Sequence, residues 1–204
     1  MDTLGGDDAG AGVGLRRAVL IVALLNAAYG VVEFAAARTI GSVSLFADSV
    51  DFFEDASVNV LIFFALVWSL KTRARVGMAL AAILFIPALA GLWTAWQKFQ
   101  TPVPPDAFTL GLVGFGALAV NLICAFLLTA YRHHSSSLAR AAFLSARNDA
   151  AANLAIIAAG LVTAYLWRSP WPDLIVGVGI AYLNAGAARD VWRAARNEHQ
   201  AAHA

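Results

Sequence analysis

Charge is scarce in this chain: Asp, Glu, Lys and Arg make up 13% of its 204 residues, against 60% hydrophobic. An ordinary soluble domain carries about a quarter charged residues. The shortage excludes a water-surrounded globule and predicts an integral membrane protein. Cysteine is scarcer still, with Cys124 alone, so no disulfide can form within the chain, and its apolar setting assigns it to packing. A net charge of +1, with basic residues too scattered to form a patch, gives nucleic acid nothing to bind. The first residues do not resemble a signal peptide, because Arg16 and Arg17 lead into a run long enough to span rather than a short apolar core with a cleavage site. The Gly- and Asp-rich residues 1–14 lack periodic apolar positions and predict a disordered cytosolic tail.

What the chain has in quantity is long apolar runs. About 20 such residues cross a bilayer, and six segments qualify, with limits near 15–37, 42–69, 76–97, 108–131, 140–167 and 173–193. The proline-dense TPVPPD (Thr101 to Asp106) separates the third from the fourth. RSPWPD (Arg168 to Asp173) separates the fifth from the sixth and ends on Asp173 as an expected N-cap. The expected fold is an all-α membrane protein of six transmembrane helices over residues 15–196, followed by a short cytosolic tail at 197–204.

Basic residues orient it. With the N-terminus inside, only Arg38, Lys98 and Arg168 fall outside, while the other Lys and Arg, Arg147 set aside as intramembrane, are cytoplasmic. Both termini are therefore expected in the cytoplasm. Trp68, Trp93, Trp96, Trp167, Trp171 and Trp192 all fall near predicted helix ends, as an interfacial aromatic belt requires.

Against this apolar background the stretch GSVSLFADSVDFFEDASVN (Gly41 to Asn59) is anomalous. Helical spacing puts Asp48, Asp51 and Asp55, with Ser44 and Asn59, on one face. Each aspartate near the middle of a spanning helix costs roughly 2.5 to 3.5 kcal/mol on an insertion scale, so such acids signal function and require a partner, here expected to be a cation. At about 1.5 Å per residue, Asp55 lies roughly 18 Å from the outer start of its helix and Asp149 roughly 14 Å from the inner start of the fifth. Both reach mid-membrane depth. The first helix adds Asn26 and Glu33, the fourth Asn121, and the fifth Ser145, Arg147, Asn148, Asp149 and Asn153. The third and sixth are nearly bare of polar residues. A polar core built from helices 1, 2, 4 and 5 follows, flanked by 3 and 6.

The pair Asp51-x-x-x-Asp55 after GSVSLFADS, together with Asp149 followed four residues later by Asn153, resembles the transport site of the cation diffusion facilitator family. The likeness covers roughly residues 15–193, and Ser145-Ala146-Arg147-Asn148-Asp149 resembles the SRND-like fifth helix of short members. It implies a homodimeric six-helix transporter that exchanges a divalent metal cation for protons by alternating access, with the metal as substrate and no cofactor. Carried over, it makes Asp51, Asp55 and Asp149 the metal ligands, with Asn148 or Ser145 the candidate fourth oxygen and Asp48 a further candidate. The chain departs from the family pattern at Ser145 and Asp51, where zinc-carrying members place histidine. An oxygen-only set suits harder ions such as manganese or magnesium better than zinc. The cytosolic metal-binding domain usual after helix 6 has no counterpart. The expected location is a bacterial inner (plasma) membrane.

The residues support such exchange independently. Carboxylates crowded in a low dielectric favour protons when the site is empty, and a divalent cation must displace those protons to bind. Gly30, Gly41 and Gly160 are expected to let helices approach and slide. Other readings compete: an ion-paired scaffold that transports nothing, or a proton-coupled carrier of an organic cation whose charge meets Tyr29, Phe52 and Phe53. Asn26, Asn121 and Asn153 serve equally as interhelical hydrogen-bond glue. Glu33, near the outer end of helix 1, is expected to be solvated, and Glu54 points about 100° from Asp55 and suits packing. His133-His134 and the His199/His203 pair are weak candidates for metal capture, since loops and tails normally solvate them.

Overall fold

A computed structural model describes the backbone of residues 4–64, 89–129 and 137–183, and the side chains of all of these except 4–13 and 137–147. Among the described residues there are six helical segments and no strand: α1 (Leu4–Ile40), α2 (Val43–Phe64), α3 (89–100), α4 (Ala107–Thr129), α5 (Ser137–Tyr165) and α6 (Trp171–Leu183). The predicted apolar segments all meet a helix, and for α4 and α5, whose ends are both described, the boundaries shift by at most three residues. α1 begins at Leu4, inside the stretch expected to be a tail. Extending an existing helix adds one hydrogen bond per residue without a new nucleation cost, which offsets the poor propensity of the glycines there.

The breaks between helices have local causes. Among the described residues Gly41 alone carries a positive φ, 65°, and Ser42 N–H donates back to Ala37 C=O at 3.0 Å; this is a Schellman stop that glycine makes without strain. Gly41 thus turns the chain rather than easing helix contact, with nothing within 4 Å of the position a Cβ would take. Ser42 then caps α2, accepting from Leu45 N–H at 3.1 Å. Asp106 caps α4 through Thr109 N–H at 2.8 Å and Thr109 Oγ1 at 2.6 Å.

α1 packs along α2 and α4 along α5, and the two pairs meet through α1–α4 and α2–α5 contacts. Lipid supplies no hydrophobic drive between helices, so close approach at small residues carries the packing. At Gly30 an added Cβ would sit 3.1 Å from Phe52 and Phe53, and at Gly160 3.2 Å from the backbone of Gly111. Ala37, Leu45, Phe46, Leu110, Ile156 and Ile180 form one apolar cluster, and Val19, Val22, Cys124 and Leu128 a second. Cys124 is thus packed, as expected.

Among the described residues two helices are long and apolar enough to cross a membrane on composition alone, at 14–40 and 107–129. α2 is long enough but carries Asp48, Asp51, Glu54 and Asp55.

Candidate functional site

Between the apolar clusters the four central helices turn their polar residues toward one another. Asn121 of α4 donates from Nδ2 to Asn153 Oδ1 of α5 at 2.9 Å, and Asn153 Nδ2 donates to Asp48 Oδ2 of α2 at 2.5 Å. The Asp48 carboxyl lies within hydrogen-bond reach of Glu33 from α1, with Asp51 in their field. Glu33, Asp48 and Asn153 are fully buried. Glu33 Oε1 and Oε2 and Asp48 Oδ1 receive no donor. Two acceptors face each other there, an arrangement that is satisfied when a proton or a cation lies between them. Glu33 is therefore not solvated: α2 covers it, and it joins the site.

A second carboxyl pair lies further along α2. Asp55 and Asp149 of α5 come within hydrogen-bond reach, and both Asp48 and Glu54 act on Asp149 electrostatically. With α2 starting at Val43 and α5 at Ser137, Asp55 and Asp149 each lie roughly 18 Å along their antiparallel helices, counted from opposite ends. Glu54, Asp51, Asp55 and Asp149 are half-buried, whereas Asn148 is exposed. Neighbours on a helix point about 100° apart, and Asn148 lies on a more open side of α5 than Asp149. Among the described residues no three His, Cys, Asp or Glu side chains converge closely enough to hold a metal ion. Asp51, half-buried on α2, acts electrostatically on Glu33.

Tyr29 stacks on Phe52, ring centroids 5.3 Å apart, and donates its hydroxyl to Val113 C=O at 2.7 Å. Asn26 accepts a long contact from Cys124 Sγ at 3.7 Å while its Nδ2 finds no acceptor. Asn59 donates to Asp55 C=O at 2.8 Å within its own helix. The side chains of Ser145 and Arg147, and His133, His134, Asn184, His199, His203 and the 197–204 tail, lie outside the described residues.

At the start of α2 a different polar centre forms, one the sequence did not announce. Asp173 of α6 is fully buried. Its Oδ1 accepts from Ser42 Oγ at 2.6 Å, Ser44 Oγ at 2.6 Å and Ser44 N–H at 3.1 Å, and its Oδ2 from Val43 N–H at 2.9 Å and Lys98 Nζ of α3 at 2.8 Å. Asp173 was expected to cap its own helix, but α6 starts two residues earlier, which turns the carboxylate outward onto the N-terminus of α2. There it also meets the positive end of the helix dipole. Lys98, expected outside as a topology marker, is 7% exposed and ion-paired.

Helices with carboxylates turned inward and apolar residues turned outward define a membrane-embedded polyhelical protein with a buried acidic centre, the architecture of a cation-handling bundle. The family model described as the cation efflux transmembrane domain matches residues 19–197. The chain belongs to the cation efflux family, and it is an integral membrane protein and a metal cation transporter. No curated protein matches it.

Proposed function

We propose that the transported ion is a divalent metal cation exchanged for protons, and that Asp51, Asp55 and Asp149 bind it, with Ser145 as the fourth oxygen donor. The apposition of Asp55 and Asp149 across α2 and α5 is the observation that carries this reading. Two carboxylates at one level leave a charge that a proton or a divalent cation neutralises, and the two compete for the same oxygens. Binding by all three acids brings in Asp51 from one turn before Asp55 on the same face of α2. Asp48, held by Asn153 and Glu33, serves as a support for α2 and α5 rather than as a ligand. Six spans with both termini cytoplasmic in a bacterial inner membrane, and a homodimer joined through membrane helices, complete the proposal.

Proteoliposomes loaded with a pH-sensitive dye and offered manganese, magnesium, zinc or an organic cation test it. Inward manganese or magnesium flux with stoichiometric proton counterflow is expected. Flux of only the organic cation, or metal flux that leaves internal pH unchanged, overturns it. Ser145→His should shift preference toward zinc, because imidazole replaces a weak hydroxyl donor.

A further inference from the structure

The Asp173 centre bears on how α2 moves. Five donors, four at the start of α2 and one from α3, converge on one buried carboxylate of α6. Around it the approach is close: a Cβ at Gly177 would lie 2.7 Å from Ser44 N, and one at Gly91 would lie 3.1 Å from Phe46 Cβ. Val43, Ala95 and Leu174 pack beside the charge as an apolar plug. Taking one partner from such a buried pair strands a charge in low dielectric, a cost too high to meet in every transport cycle.

We infer that Asp173 is a positioning residue for transport: it pins the first turn of α2 to α3 and α6, and this pin stays closed throughout the cycle. Asp51 and Asp55 are then carried on a helix whose starting end has a fixed depth. Opening and closing of the cation path must come from movement between α2 and the α4–α5 pair, where contact is made through the Asp48–Asn153 bond and the Asp55–Asp149 pair. The inference rests on the transport reading above, although the pin itself is measurable without it.

The test uses full-length protein with Val43→Cys and Leu174→Cys, across the apolar plug; native Cys124 sits in the other apolar cluster and can remain. With excess copper phenanthroline as the oxidant, the end-point disulfide yield should be the same with or without manganese and at high or low pH, since the thiolate fraction alters only the rate of oxidation. The oxidised protein should transport at the rate of the reduced one. In Asp173→Asn, the half-saturating cation concentration should rise several-fold as the aspartates of α2 lose register with Asp149, and oxidation of the same cysteine pair should bring it back. A yield that changes with cation or pH, or an oxidised protein that no longer transports, overturns the pin. If reduced protein moves no divalent cation, the transport reading fails, while the dependence of yield on pH and cation still decides the pin. Should Asp173→Asn not fold, the cysteine pair alone gives both readouts.

Discussion

The two buried acidic centres of this protein share one helix and differ in how they are satisfied. At the start of α2, Asp173 has every lone pair direction occupied by serine hydroxyls, backbone amides and the Lys98 ammonium. Further along the same helix, Glu33 faces Asp48 and Asp55 faces Asp149, acid against acid, with three carboxylate oxygens of the first pair lacking a donor. A carboxylate with all its partners supplied by the fold has nothing left to offer a ligand and holds helices in place. Carboxylates set against one another, with buried oxygens of Glu33 and Asp48 that no donor reaches, destabilise the fold and are kept for use. Satisfaction, more than burial or charge, separates structure from function here.

The largest effect follows from the unsatisfied centre. Asp149→Ala and Asp55→Ala should each bring cation flux in proteoliposomes to the level of empty vesicles. Each variant should unfold in detergent at the same or a higher temperature than the parent, because removing one member of a like-charged pair relieves repulsion and desolvation. Loss of flux together with a clear fall in unfolding temperature would make these aspartates resemble Asp173 and would erase the contrast.

At the satisfied centre the order reverses, with stability carrying the effect. Asp173→Ala strands the Lys98 ammonium and uncaps α2, and should cost about 3–5 kcal/mol. Lys98→Met leaves Asp173 with both α2 amides and both hydroxyls, and should cost less, about 1–3 kcal/mol. Denaturant unfolding of the purified variants measures both. Equal costs would mean that the ion pair, and not the capping of α2, fixes the helix.

Much of the unsatisfied centre was legible because it obeys helical spacing: acids three and four residues apart on α2, and Asp149 at matching depth on α5. The polar core from helices 1, 2, 4 and 5 follows from the same count, since polar residues inside a membrane have few places to turn. Glu33 was misread because distance from a helix end says nothing about which neighbour covers it; Gly30, which draws α1 onto α2 at Phe52 and Phe53, was the available signal. Asp173 was taken for the N-cap of its own helix, and its pairing with Lys98 was not foreseen. Their pairing spans 75 positions, which no local pattern reports.

The smallest effect concerns a third aspartate, which is exposed and belongs to neither centre. Asp106 caps α4 by accepting the amide and the hydroxyl of Thr109. Those two hydrogen bonds hold its carboxyl below the usual aspartate range. A folded value below the unfolded one means that the cap contributes its full stability above the unfolded value, about 3.9. That contribution is lost as pH falls from there through the lowered folded value. Asp106→Asn keeps an oxygen for the Thr109 amide but does not titrate. Its unfolding temperature should therefore match the parent's at acid pH and fall slightly below it near neutrality, where the parent's charge also meets the α4 dipole. The difference should vanish in Thr109→Val only in part, because the backbone amide still bonds Asp106 when the hydroxyl is gone. A parent and variant that differ equally at every pH would show that the carboxylate's charge adds nothing to this cap.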